Sequence, residues 1–210
     1  MFREKVVKME QRDCNGLNEI EFLQHYRPGD YPRPSVAVDL VVFAGRDPET
    51  ELLMIRRGGH PCLGMWALPG GFVGPEETTE AAALRELKEE TDADGKDLEL
   101  IGVFSDPRRD PRTRVISCAY MALAGPSPIP VQAGDDAAKA AWFKAALIPQ
   151  AAENRIQLSL DSAGDSLSAD LEVIRRTTPF GPRYDIKIDA SQGIAFDHAK
   201  IITLGLLKLR

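Results

Sequence analysis

The stretch Gly70 to Ala93, GGFVGPEETTEAAALRELKEETDA, leaves the chain little freedom. A glycine pair opens a loop, and a helix then carries Arg85-Glu86-Leu87-Lys88-Glu89-Glu90. At about 100° per residue, Glu86, Glu89 and Glu90 fall within roughly a 100° arc of that helix. Leu84, Leu87 and Ala83 fill the neighbouring arc, which is the expected buried stripe. Crowding the acids opposes the helix. Like charges three or four residues apart cost about 0.2–0.5 kcal/mol per pair, and acids late in a helix face the negative end of its dipole. A divalent cation with oxygen ligands is the simplest compensation. Mg²⁺ fits best, because it takes one or two protein carboxylates and completes its shell with water and substrate phosphate. For an isolated E-x-x-E-E, a solvated acidic face is the plainer account.

The surrounding spacing favours the cation. From Gly71 there are five residues to Glu77, then seven to Arg85-Glu86, then an aliphatic residue, one more, and Glu89-Glu90. This resembles the Nudix box of the Nudix hydrolases, with Asp92 standing where the box has its last glycine. That glycine ends the helix in a left-handed conformation, which Asp tolerates better than most residues. The resemblance implies metal ligation by Glu86, Glu89, Glu90 and the carbonyl of Gly70, with Mg²⁺ as the ion and Mn²⁺ as a substitute. It further implies that one glutamate handles the attacking water, and that Glu77 and Arg85 pair to fix the loop on the helix. The implied reaction is hydrolysis of a nucleoside diphosphate linked to another group.

A second stretch, Gly102 to Tyr120 (GVFSDPRRDPRTRVISCAY), adds detail. With YPRPSVAVDLVVF before it and AFDHAKII after it, it is similar to the ADP-ribose pyrophosphatase branch, whose members often carry R-D-P-R here. Arg109 and Arg112 are candidates for phosphate or ribose, since a guanidinium forks onto phosphate oxygens. Asp110 could hold a ribose hydroxyl or orient Arg109; a salt-bridge network within the loop is the structural alternative. Phe72, Phe104 and Trp66 are candidates to stack on a base, although single aromatics in strands are usually core. Arg57, beside Arg56 at a strand end, is a further phosphate candidate. Asp135 and Asp136 are candidates for a supplementary acid, or turn residues. His25, His60 and His198 lack ligand spacing, and His198 reads as structural.

Composition narrows the field. The 210 residues are 43% hydrophobic, enough for one globular domain with a proper core. The net charge of −6 and the absence of a Lys/Arg cluster argue against nucleic-acid binding. Cys14, Cys62 and Cys118 are few, odd in number and widely spaced, as expected of reduced thiols in a cytoplasm and not of a zinc site. The first residues lack a signal-peptide core, and no 18-residue apolar run offers a membrane span.

The expected architecture is α+β: a mixed sheet sandwiched between helices (α/β/α), the fold that the Nudix resemblance implies. One domain spans 1–210. Residues 1–34 form an extension with a short helix capped by Asn18. Ser35–Ala44 is a central strand and Glu51–Arg56 its hairpin partner. Leu98–Phe104 and Arg114–Ala124 are strands, and Ala140–Phe143 begins a short one. Residues of about 151–192 read as a β-rich insertion, and 196–210 as an amphipathic helix. The reaction implied by the resemblance is Mg²⁺-dependent cleavage of ADP-ribose or a related nucleoside diphosphate sugar to AMP and a sugar phosphate. Alternatives are a pyrophosphohydrolase of oxidised nucleoside triphosphates and an ADP-ribose sensor. The sensor is disfavoured by a chain that stops at the last helix, and by 8 Lys/Arg against 8 Asp/Glu in residues 151–210. The resemblance also implies a homodimer.

Overall fold

The computed structural model describes residues 11–45, 49–91, 97–125, 128 and 137–209, without the side chains of 90, 91, 137 and 138. The chain divides into two compact units, Met1–Arg33 and Pro34–Arg210. In the first, α1 (Glu19–His25) starts at a reciprocal cap: the Glu21 N–H donates to Asn18 Oδ1, and the Asn18 N–H donates to Glu21 Oε2, both at 2.9 Å. Arg12 pairs with Glu21, and α1 buries no residue.

The second unit is one ten-stranded sheet with a helix on each face. Its strands are β1 (Ser35–Ala44), β2 (Glu51–Arg57), β3 (Trp66–Ala67), β4 (Gly70–Phe72), β5 (Glu99–Phe104), β6 (Val115–Gly125), β7 (Ala137–Pro149), β8 (Arg155–Asp161), β9 (Ser166–Thr178) and β10 (Gly181–Gln192). The helices are α2 (Thr79–Thr91) and α3 (His198–Leu209). The spatial order is β10-β9-β8-β7-β2-β1-β6-β5, with β3 added to β2 and β4 to β1. The β1–β6 pair is parallel, and the other described pairs are antiparallel.

The run SVAVDLVVFA makes β1 central because its apolar residues serve both faces. Val38, Leu40 and Val42 join the cluster around α2, through Ala82, Ala83 and Leu87. Val41 and Phe43 join the larger cluster around α3, through Ala199, Ile201, Ile202 and Leu206. These are the layers the sequence reading expected. The stripe of α2 is rotated from expectation: Ala82 is buried and Leu84 is exposed. On the 100° wheel, Ala82, Glu86, Ala83 and Leu87 share one arc, and Leu84 lies outside it. Glu86 therefore points into the protein.

The split between β1 and β2 makes room for a site. They pair only at Phe43–Leu52 and Ala44–Glu51. Below that point, β4 takes β1 as its partner and β3 takes β2. The segment expected as an insertion continues the same sheet outward from β7, which is itself a 13-residue strand and not a short one. Among the described residues, no helix is long and apolar enough to cross a membrane.

Phe143 is fully buried and meets Trp66 edge-on at 4.8 Å between ring centroids. Phe143→Ala is expected to cost about 3–5 kcal/mol, read as a lower urea midpoint with an unchanged slope.

Candidate active site

Two glycines set the floor of the split. Gly70 has φ +149°, and a Cβ there would lie 2.2 Å from the Val38 carbonyl oxygen. A Cβ on Gly71 would lie 2.2 Å from Glu86 Oε1. The first glycine is needed for its backbone angle and both for close approach, so the glutamate carboxylate lies directly against the loop.

Arg85 organises the acids of α2. Its Nη2 and Nε donate to Glu77 Oε1 and Oε2 at 2.8 and 3.3 Å. Its Nη1 donates to Glu86 Oε1 at 2.7 Å and reaches Glu89 Oε2 at 3.5 Å. Nη2 also bonds the Phe72 carbonyl at 3.3 Å. Glu77 in turn accepts from the Gly74 N–H at 2.7 Å, so the loop and the helix are laced together. The bonds from Arg85 and then Gly74 hold the Glu77 carboxyl below its ordinary range. Burial pushes Glu86 up, although Arg85 opposes the shift. Glu89 is more open: its side chain is 56% exposed, against 12% for Glu86. Glu90 lies on α2, but its side chain is outside the described residues, as are Asp135 and Asp136.

A cleft of about 640 Å³ lies along the split. Gly70, Phe72, Glu86, Glu89, Arg57, Arg109, Asp110 and Arg112 all line it. Arg109 is almost wholly buried, its Nη2 donating to Asp39 Oδ2 at 3.0 Å and to Asp197 Oδ1 at 2.8 Å. Its Nε donates to Asp197 Oδ2 at 3.2 Å. The fork expected to meet substrate thus meets two carboxylates. Asp110 pairs with Arg112 and not with Arg109, at 2.7 Å between Nη2 and Oδ2. Arg112 also receives its place from Phe72, whose ring centroid is 5.4 Å from the guanidinium carbon. Arg57 donates to the Pro61 carbonyl at 2.8 Å and sits over the Phe196 ring at 5.1 Å.

Two stacking candidates lie elsewhere. Phe104 packs against the α3 side of the core, and Trp66 is buried in it. Their apolar area is more useful in the core than in a wet cleft. Asp39, Phe196 and His198 are among the cleft residues that the sequence alone did not assign to the site. Asp39 was signalled by an acid inside an otherwise apolar run, and it accepts from Ser117 Oγ at 2.6 Å. Phe196 takes φ +52°, which nothing in the sequence announces. His198 was expected to be structural; it is buried but touches the cleft. The Leu68 N–H donates to its Nδ1 at 2.8 Å, which leaves the proton on Nε2, 3.5 Å from Asp39 Oδ1.

A model of the NUDIX domain matches residues 33–160. The chain belongs to the Nudix family. An ADP-ribose pyrophosphatase of Methanocaldococcus jannaschii is 41% identical over 124 residues, 58% of this chain and 69% of that protein. An ADPR-responsive transcriptional repressor, NtrR, of Acinetobacter baylyi is 37% identical over 111 residues. That match takes in 52% of this chain but only 44% of the repressor. A solved MutT/nudix family protein from Enterococcus faecalis superposes with a TM-score of 0.70 at 31% identity. It covers 92% of this chain and 70% of its own. The Nudix domain and its pyrophosphatase relative support a pyrophosphohydrolase enzyme.

Burial, more than the nearby Asp39 counteracts, pushes His198 below its ordinary pKa of 6.5. The unfolded chain then takes up this proton first, so the contribution to stability falls as pH drops below 6.5. The slope is at most about 1.4 kcal/mol per pH unit. His198→Gln should flatten this part of the profile, checked by urea midpoints from neutral to mildly acidic pH.

Proposed function

We propose that this Nudix enzyme hydrolyses the pyrophosphate bond of ADP-ribose or a related nucleoside diphosphate sugar, giving AMP and a sugar phosphate. The observation that carries the reading is the composition of the cleft along the split. Its α2 wall offers carboxylates, and its other walls offer two arginines, each set against an aromatic ring. A volume of about 640 Å³ suits a ligand of nucleotide-sugar size. The arginines Arg57 and Arg112 supply charge for phosphates, and Phe72 or Phe196 a face for the base. Arg109, with Asp39 and Asp197, positions the floor. The similarity to an ADP-ribose pyrophosphatase supports the choice of substrate.

The donor set fits a hard divalent ion. Glu86, Glu89 and Gly70 all line the cleft, and the two carboxylates with the Gly70 carbonyl would serve as the ion's oxygen ligands. Among the described residues no group of three His, Cys, Asp or Glu forms a metal cluster. Mg²⁺ is compatible with so few protein ligands, because water and substrate phosphate complete its shell; Mn²⁺ would substitute. Bound there, the ion supplies charge neutralisation of the diphosphate and a more acidic water. Arg85 keeps the glutamates aimed, and its grip on Glu77 holds the loop still. Hydrolysis adds water across one P–O bond of the diphosphate, leaving a phosphate on each product. Three unpaired cysteines support a cytoplasmic setting.

A second reading, ADP-ribose sensing without turnover, draws on the similarity to the repressor. Product analysis with Mg²⁺ separates the two. AMP and ribose 5-phosphate from ADP-ribose, with an 8-oxo-dGTP control untouched, are expected. Cleavage of the triphosphate alone would overturn the substrate, and binding without cleavage would favour the sensor. Glu86→Gln should lower turnover by about 10²–10³, as loss of a central electrostatic group does, while circular dichroism stays unchanged.

A further inference from the structure

We propose that the outer edge of β10 is a self-complementary interface for a second copy of this chain, paired antiparallel about a two-fold axis at Ile186. Among the described residues β10 pairs on one side only, with β9. Its other edge is therefore a template for a further strand.

The parity of the hairpin sets which groups face outward. Thr178 pairs with Gly181 across the two-residue turn Pro179-Phe180. In such a turn the closing pair exchanges hydrogen bonds, and alternate pairs follow. The bonded residues of β10 are then Gly181, Arg183, Asp185 and Lys187. Pro182, which has no N–H to offer β9, falls in the outward set as it should. Tyr184, Ile186 and Ile188 present their N–H and C=O groups to the open edge. A two-fold axis at Ile186 places Ile186 opposite its own copy and Tyr184 opposite Ile188. All six N–H groups of the two strands then find carbonyls.

The side chains obey the same symmetry. One face carries Arg183, Asp185, Lys187 and Asp189. Opposition about Ile186 sets Asp185 against the copy's Lys187, and Arg183 against the copy's Asp189. Every cross-strand charge pair is of opposite sign, in both directions. Within the chain these acids already share cations, Asp185 with Arg176 and Arg183, and Asp189 with Arg155 and Lys187. The face is therefore rich in arginine and lysine beside its acids, and a copy contributes matching partners. On the other face, Tyr184, Ile186 and Ile188 are half-buried against the α3 side of the core. The pairing would cover their open flank with aromatic and β-branched neighbours, the favoured cross-strand combination. The ladder ends where Asp189 is bulged out of register with β9. Pro182 and Lys187 are the residue types that deter indiscriminate strand addition, and the sign pattern narrows acceptance to this same sequence reversed.

Light scattering after gel filtration of the full chain tests the interface. The wild type should elute as a dimer. Lys187→Asp faces acid with acid, Asp185→Lys faces lysine with lysine, and each should weaken self-association by roughly tenfold or more. Mixed in equal amounts, the two variants regain complementarity and should form a heterodimer of near wild-type affinity. Ile186→Pro removes the N–H at the axis without touching the ladder to β9, and should abolish association with the fold intact by circular dichroism. A monomeric wild type, a dimer indifferent to these changes, or a mixture that stays monomeric would overturn the proposal.

Discussion

A buried guanidinium between two carboxylates holds this protein's working parts in place. Arg109 comes from the loop after β5, Asp39 from the middle of β1, and Asp197 from the turn before α3. Alone, each charge would be costly to bury; removing one of a buried set typically costs 3–5 kcal/mol because its partner is stranded. The fork of Arg109 satisfies both acids, and Ser117 and His198 complete the shell of Asp39. The floor of the cleft is consequently a fixed network. Glu89 and Arg112, whose side chains are more exposed, line the same cleft while paired with Arg85 and Asp110.

The split of β1 from β2 explains how a sheet can carry such a floor. Where the two strands part, β3 and β4 continue the ladder with each of them separately. The short segment between β3 and β4, Leu68-Pro69, crosses the gap. The Leu40 N–H donates to the Pro69 carbonyl at 2.8 Å, and the Leu68 N–H to His198. Backbone that would otherwise be orphaned is thus bonded, and the glycine loop is presented to α2 without room for side chains.

Legibility in the sequence followed the range of the interactions. The box could be read because its constraints are local: Gly71, Glu77, Arg85 and Glu86 meet across fewer than twenty positions, and the Glu77–Arg85 pair forms as expected. The central strand β1 and the capped helix α1 were also local matters of pattern and capping. The orientation of α2 was not, because Leu84 looks as apolar as Leu87 until the sheet above is known. Likewise the arginine segment announced its charge but not its partners. Arg109 found Asp197, 88 positions away, and Asp110 found Arg112 next door. Phe104 and Trp66 could not be told from ligand platforms, since an aromatic in a strand carries no mark of which side becomes core. The outer strands were visible as pieces, and they pair with one another through local hairpins; that they extend the central sheet depends on β7 pairing with β2, as at Leu52 and Phe143, far apart in the sequence.

The route by which Asp197 and His198 reach the cleft has a kinetic meaning. After β7 the chain runs outward through β8, β9 and β10, then returns along the Trp66–Ile194 bridge to set these residues beside Asp39. Contacts of such sequence separation form late, because the entropy of closing the loop must be met before they stabilise anything. During synthesis the glycine loop and α2 emerge well before α3. Closing the floor carries the larger entropic cost: Asp39 and His198 lie 159 positions apart, whereas Arg85 and Glu77 lie 8 apart.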